Sequence, residues 1–421
     1  MRVYVECYGC WLNKALADVV VQMVINEGGN VVNTLDEAEA AILITCAVRA
    51  ESERKALERL KFLSKRNLRI AVTGCLVNIR PYQILKTAPN ASLIEPGSMS
   101  KLRNFLRGDY LFLVRVYGKE LLIPKYTGDF RYVLPIQAGC LGACSFCVEP
   151  IVRRGVISLD PEIAVNMIDE AVRMGAKEVY LTGQDLAAYG LDLGINLPDL
   201  LEEILSVVEG DYRIRIGMME PWLVKKFVDR LSCLMKDDRI YKYVHLPVQS
   251  GDEEVLKIMG RKYTVAEYKY IVTYLRNELK DLSIVTDIIV GFPGEKWEAF
   301  MNSVKLIEEL LFDKVHLARY TFRPFTPAYI MNPQVPEPEK KRRSRILSEI
   351  SIKVAAQRNS EYLNRVINAL VVEERPGDYI VARTDTYKPV ILSANSAKIG
   401  DWVKIRIKSF TPFHLEGDIV D

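Results

Sequence analysis

Residues 139–147 read GCLGACSFC, that is Gly139-Cys140-Leu141-Gly142-Ala143-Cys144-Ser145-Phe146-Cys147, and Val148-Glu149-Pro150 follows. Three of the chain's eight cysteines fall here, spaced C-x3-C-x2-C. A structural zinc site takes four closed ligands, and the nearest further cysteines, Cys75 and Cys233, are far away in sequence. Three thiolates suit instead a four-iron cluster in which one iron lacks a protein ligand and is open to a small molecule. Zinc, or incidental thiols, are the competing readings.

Length and composition narrow the setting. A chain of 421 residues has room for two or three domains, each with a substantial core. With 49% hydrophobic residues, 26% charged residues and a net charge of +3, neither disorder nor a strongly basic nucleic-acid coat is indicated. No apolar run approaches the roughly 18 residues of a membrane span, and Met1 to Tyr8 reads as a strand rather than a secretion signal. These features predict a cytoplasmic protein with no membrane partner. Eight cysteines are too sparse for a disulfide scaffold, and clustered thiols in a reducing compartment more often hold metal or do chemistry.

Outward from the cysteine stretch, the chain divides into three regions of different periodicity, an α/β multidomain architecture. Residues 1–107 alternate strand and helix: strands at 3–8, 40–45 and 70–73, helices at 13–27 and 50–66. That is a small parallel α/β domain. Turn signals at Tyr117-Gly118-Lys119 and Thr127-Gly128-Asp129 suit a linking hairpin over 111–129. Residues 126–361 contain six βα units, with strands at 133–136, 178–181, 213–218, 243–246, 283–289 and 314–320. This predicts a partial (β/α)6 barrel whose function lies at the carboxyl ends of its strands. A basic linker over 333–345, holding Lys340-Lys341-Arg342-Arg343, precedes a helix ending near Asn364. Residues 362–421 read as five short strands, a small antiparallel β-barrel of a kind that holds RNA, with a turn at Pro376-Gly377-Asp378.

Cys10, Cys46 and Cys75 are scattered, yet each directly follows a predicted strand in VYVECYGC, AAILITC and IAVTGC. The carboxyl ends of parallel strands share one rim, so the three can converge there. Three unrelated buried thiols are the alternative. Cys233, in the apolar run Leu231-Ser232-Cys233-Leu234, reads as a core residue. Cys7 shares a strand face with Val3 and Val5 and reads as a spectator.

The cysteine spacing, with the aromatic Phe146 before the last thiol, resembles the radical S-adenosylmethionine superfamily. Tyr8-Gly9-Cys10 with Asn13, Thr45-Cys46-Ala47-Val48-Arg49 and Gly74-Cys75 resemble the amino-terminal domain of its methylthiotransferases. The resemblance continues through Leu181-Thr182-Gly183-Gln184-Asp185, Leu246-Pro247-Val248-Gln249-Ser250-Gly251, the stretch DIIVGFPGE at 287–295, and Arg323-Pro324 with Thr326-Pro327-Ala328. The tail resembles that family's TRAM domain. Ile44, Leu16 and Phe325 depart from the family, which favours asparagine, aspartate and glycine there.

The resemblance implies two [4Fe-4S] clusters, one on Cys140, Cys144 and Cys147, the other on Cys10, Cys46 and Cys75, with S-adenosylmethionine at the open iron of the first. Cofactor contacts are expected from Phe146, Gly183, Gln184, Asp185, Gln249, Ser250 and Gly291; strand-end capping and turn formation are the plainer readings of those residues. His245 and His316 read as satisfied core or rim histidines, and Arg153 and Arg154 either meet an anion or lie on the surface. No general base is assigned, because radical hydrogen abstraction needs none. The activity implied is methylthio insertion at C2 of an adenosine in a tRNA anticodon loop, closest to the branch acting on N6-threonylcarbamoyladenosine at position 37, with an electron donor as further partner. Isopentenyladenosine in tRNA, an aspartate of a ribosomal protein, and a non-catalytic iron-sulfur RNA-binding role are the alternatives.

Overall fold

The computed structural model describes residues 1–48, 50–375, 377 and 379–420. Arg49 of the Thr45–Arg49 motif, and Pro376 and Asp378 of the expected turn, lie outside the described residues.

The amino-terminal sheet contains β1 (Arg2–Cys7), β2 (Asn30–Val32), β3 (Ala40–Thr45), β4 (Arg69–Gly74), β5 (Ser92–Ile94) and β6 (Phe112–Leu113) in the order β2-β1-β3-β4-β5-β6, every pair parallel. All six residues of β3 are buried, as a strand covered on both faces requires. Helices α1 (Trp11–Asn26) and α2 (Ala50–Leu63) cover it; α2 buries Glu53, Ala56, Leu60 and Leu63 at helical spacing. The chain order reverses between β1 and β3, and the crevice there opens at the carboxyl ends of the strands. Residues 111–129 do not form the expected hairpin: Phe112–Leu113 adds a parallel edge strand to this sheet.

The large barrel has all six expected strands, β7 (Arg131–Pro135), β10 (Glu178–Thr182), β11 (Arg213–Ile216), β12 (Tyr243–His245), β13 (Ser283–Val290) and β14 (Lys314–Arg319). A small antiparallel pair, β8 (Gln137–Gly139) and β9 (Val156–Ser158), flanks the cysteine loop. The barrel is two three-stranded parallel sheets, β7-β10-β11 and β12-β13-β14, joined by the bridges Ile214↔Ile240 and Met218↔His245. Residues 340–343 are not a linker: they lie in the helix Glu337–Ser360. Lys340 and Arg343 are buried, Lys340 Nζ donating to the Tyr320 carbonyl at 3.1 Å and Arg343 Nη1 to Glu295 at 2.7 Å. Among the described residues no helix is long and apolar enough to cross a membrane.

The tail closes into a five-stranded barrel, β15 (Val366–Arg375), β16 (Tyr379–Thr384), β17 (Pro389–Ser393), β18 (Trp402–Phe410) and β19 (Leu415–Val420), antiparallel except for the parallel pair β17 and β19. Its turn between β16 and β17 enters the amino-terminal mouth of the large barrel. Tyr387, at φ +64°, packs its ring 5.0 Å from both Tyr241 and Tyr243 and hydrogen-bonds Tyr180 through the phenols. Lys388 Nζ donates to Asp313 Oδ1 at 2.6 Å and to Asn359 at 2.8 Å. Both side chains of the Lys388–Asp313 pair are nearly inaccessible, 6% and 4%.

Removing one partner of a buried ion pair strands the other. Asp313→Ala leaves both Lys388 and Arg358 without this carboxylate. It is expected to cost roughly 3–5 kcal/mol, measured as a lower urea midpoint for protease cleavage between the two barrels. Lys388→Met combined with Asp313→Leu should recover part of the loss.

Candidate functional site

The first thiol set lies on the loop after β8. Gly142 sits among the sulfurs: a Cβ there would be 3.1 Å from Cys140 Sγ and 3.5 Å from Cys144 Sγ. Each sulfur receives one N–H donor. The Gly142 amide reaches Cys140 Sγ at 3.2 Å, the Glu149 amide reaches Cys147 Sγ at 3.5 Å, and Arg261 Nη1 reaches Cys144 Sγ at 3.2 Å. Hydrogen bonds to the charged form favour it, so this loop is built for thiolates. Arg261 is itself buried, paired with Glu220 and donating to the Pro247 carbonyl at 2.8 Å.

Strand register brings the second set together. Thr45 pairs with Gly74, so Cys46 and Cys75 leave neighbouring strands side by side. Cys7 pairs with Ile44, which carries Cys10 to the same rim. Two glycines permit the approach. Gly74 has φ +92° and an added Cβ would lie 2.1 Å from the Thr45 carbonyl oxygen; at Gly9, φ +125°, it would lie 2.9 Å from Cys46 Cβ. Asn13 Nδ2 bonds the Tyr8 and Thr45 carbonyls at 2.8 and 3.1 Å, tying both loops to α1.

Glu149, at the start of the helix Glu149–Val152, stands between the sets: its amide faces Cys147 and its carboxyl takes the Cys75 thiol at 3.8 Å. Burial raises this carboxyl, opposed by Arg153 and by hydrogen bonds from Gln184 and Cys75. Burial likewise pushes Cys10 up to about 11 and Cys140 up to about 12, and raises Cys75, Cys144 and Cys147. Cys10 lies in a recess, surrounded by protein yet solvent-accessible. Buried thiols beside carboxylates ionise only when a cation shares the site. The donor set, the sulfur-directed N–H groups and the crowding at Gly142 therefore fit iron-sulfur ligation.

The seven residues expected around a cofactor divide by what they touch. Gly183 is forced by close approach, since a Cβ would meet Gln137 Oε1 at 2.5 Å. Gln184 Oε1 accepts from the Gly139 amide at 2.8 Å and braces the cysteine loop; with Asn13, Pro96, Leu122 and Arg153 it lines a cavity beside Cys75. Asp185 is buried and accepts from the Ala187 and Glu220 amides at 3.1 and 2.9 Å, while its Oδ2 has no protein partner. Burial, with Glu220 nearby, pushes its carboxyl up to about 7. Gln249, beyond the end of β12, adopts φ +70°, uncommon for a residue with a side chain, and bridges to Ile288 of β13. The Ser250 hydroxyl faces Ser303 and the Asp252 amide. Gly291 is held against the stem of Lys340, and Phe146 packs edge-on to Phe292 at 6.3 Å.

Three features escaped the sequence. Cys233 is exposed on the helix Val228–Leu234 rather than in the core. His245 and His316 are not isolated: with Asp287 their ligand atoms lie within 4.8 Å of one another inside the barrel. Arg261 and Glu220 were not singled out, although Glu220 follows the end of the third barrel strand, where such a residue is to be sought. Arg154 is exposed and stacks on Tyr117 at 4.2 Å, whereas Arg153 turns inward to the Pro96 carbonyl at 3.2 Å.

Comparison with known proteins agrees with this arrangement. Residues 134–307 match the Radical SAM superfamily, 2–95 match the uncharacterized protein family UPF0004, and 360–420 match the TRAM domain. The chain is 36% identical to a probable threonylcarbamoyladenosine tRNA methylthiotransferase of Pyrococcus horikoshii over 100% of both chains. It is 30% identical to a tRNA-2-methylthio-N(6)-dimethylallyladenosine synthase of Fusobacterium nucleatum over 98% of each. The solved structure of the radical S-adenosylmethionine methyltransferase TsrM from Kitasatospora setae shares the fold, with a TM-score of 0.58 at 14% identity, covering 78% of this chain and 77% of that one.

Alkylation of the metal-free protein should follow these exposures. Cys233 and Cys10 are expected to react first and Cys46 and Cys75 last, read by peptide mass spectrometry over time.

Proposed function

Because the chain belongs to the radical S-adenosylmethionine methylthiotransferase family, we propose that it modifies tRNA, placing a methylthio group on C2 of N6-threonylcarbamoyladenosine in the anticodon loop. The observation that carries this reading is the presence of two thiol sets on two strand-end rims, with Glu149 between them, in a chain matched along its whole length by relatives named for this reaction.

Cys140, Cys144 and Cys147 would hold one [4Fe-4S] cluster and Cys10, Cys46 and Cys75 the other. Together with S-adenosylmethionine these groups supply one-electron cleavage of the sulfonium and an open metal position for sulfur. The protein's own part is placement. Arg261 and the Gly142 and Glu149 amides fix the first set of sulfurs. Gln184 and Arg153 line the cavity beside Cys75. Gln249, Asp185 and Gly183 stand at the strand ends where the cofactor would bind, while Phe146, Ser250 and Gly291 shape that site through packing. Trp11, adjacent to Cys10, packs edge-on against Tyr180 with ring centroids 4.9 Å apart, so the Cys10 loop is anchored on the barrel.

For the RNA, alternation along β18 places Lys404, Arg406 and Lys408 on its exposed face. This stripe replaces the 340–343 segment as the phosphate-gripping surface. An adenosine of a single-stranded loop unstacks at little cost and can enter the barrel mouth. We place the reaction in the cytoplasm, with a cytoplasmic electron donor.

The test is anaerobic reconstitution with tRNA carrying N6-threonylcarbamoyladenosine or dimethylallyladenosine, followed by nucleoside mass spectrometry. The methylthio product should form on the first; formation on the second alone defeats the substrate assignment. Triple replacement of Cys140, Cys144 and Cys147 by alanine should remove about four irons and abolish 5'-deoxyadenosine formation. Triple replacement of Cys10, Cys46 and Cys75 should remove a similar number, keep some 5'-deoxyadenosine formation and lose the methylthio product.

A further inference from the structure

Below the strand ends, the barrel interior holds a charge without a counter-charge. Val179, Leu181, Ile214, Ile216 and Val244 pack outward into the apolar core, so alternation turns Tyr180, Arg215 and Tyr243 inward. The Arg215 guanidinium lies 4.9 Å from the Tyr243 ring, 5.1 Å from Tyr387 and 5.3 Å from Tyr180. Its Nη2 donates to the Tyr243 hydroxyl at 3.2 Å, while its buried Nε has no partner. Among the described residues it enters no ion pair, and after burial the groups acting on its charge are the phenols of Tyr243, Tyr387 and Tyr180.

Its neighbours are matched. Arg131 bonds Glu178 at 2.7 Å, the other Glu178 oxygen accepts from the Tyr241 hydroxyl at 2.6 Å, and Arg213 pairs with Asp385 at 3.3 Å. A desolvated guanidinium in an aromatic cage, with its fork partly open, suits a ligand carboxylate. His245, Asp287 and His316 cluster toward the strand ends, and Trp11, next to Cys10, packs edge-on against Tyr180 of the same enclosure.

We propose that Arg215 binds the free carboxylate on the N6 substituent of the substrate adenosine and so selects an amino-acid-bearing group over an uncharged alkyl one. This rests on the substrate reading above. The dimensions agree: Arg215 stands one residue before the end of β11, about 3 Å of strand, and the five bonds from N6 to a threonine carboxylate oxygen extend about 6 Å, enough to reach it from the strand ends. An alkyl substituent leaves the guanidinium desolvated and unpaired, and a site built to bond a polar group rejects the analogue that lacks it.

The test uses holoenzyme and two tRNAs, one with N6-threonylcarbamoyladenosine and one with its carboxylate converted to the amide. Wild type should favour the carboxylate about 10- to 100-fold in kcat/KM, the usual worth of a hydrogen bond to a charged group. Arg215→Met should erase that preference and Arg215→Lys keep part of it, with iron content and tRNA-free 5'-deoxyadenosine formation unchanged in both. A preference that survives in Arg215→Met overturns the assignment. So does equal use of both tRNAs by wild type, the result a phosphate ligand would give. Wild type that forms 5'-deoxyadenosine but modifies neither tRNA defeats the substrate reading itself, and the role of Arg215 falls with it.

Discussion

One buried carboxylic acid, Glu149, joins two groups of thiols that belong to different sheets. Its amide points at Cys147 and its carboxyl at Cys75, so the helix Glu149–Val152 fixes how far apart the two groups stand. A carboxyl in such surroundings is costly to ionise, and Arg153 opposes that cost. The same arginine reaches the Pro96 carbonyl of the amino-terminal domain, so one charge compensates the acid and ties the domains together. On the far side, Arg323 makes a similar tie, bonding Glu53 of α2 at 2.6 Å and the Val48 carbonyl at 3.0 Å. The geometry between the thiol sets is therefore held from both flanks by buried arginines, whose planar forks fix orientation as well as distance.

The barrel interior is unusually polar. Outward-facing positions of β10, β11 and β12 are apolar and buried, while inward ones carry Glu178, Tyr180, Arg213, Arg215, Tyr243 and His245. A packed structural core would be filled with aliphatic side chains. This interior instead carries hydrogen-bonding groups from Glu178 at the start of β10 to His245 at the end of β12.

Much of this was legible in the sequence, for identifiable reasons. The apolar run at 40–44 marks a central parallel strand, and the six large-barrel strands announce themselves by apolar runs or by apolar residues at alternate positions, as in Arg213–Ile216, between helices. The first thiol set is local, so its spacing points to it; the second is suggested by each cysteine following a strand, and the family resemblance, not position, makes it a ligand set. What stayed hidden depends on register and long-range contact. Arg261 reaches Cys144 from a loop 117 residues away, and His245, Asp287 and His316 meet only once their three strands are aligned. Lys340 and Arg343 look like a solvated charge run until their helix is seen lying on Tyr320 and Glu295. Cys233 sits in an apolar run but on the outer face of its helix, a matter of helical phase that a short run cannot fix.

The turn carrying Tyr387 gives the carboxyl-terminal barrel a second identity. By contributing a wall of the aromatic enclosure around Arg215, it makes the small barrel part of the large barrel's interior. Swapping that small barrel between homologues would therefore also rebuild the floor of this enclosure, unless the graft retains residues 385–388 of the recipient.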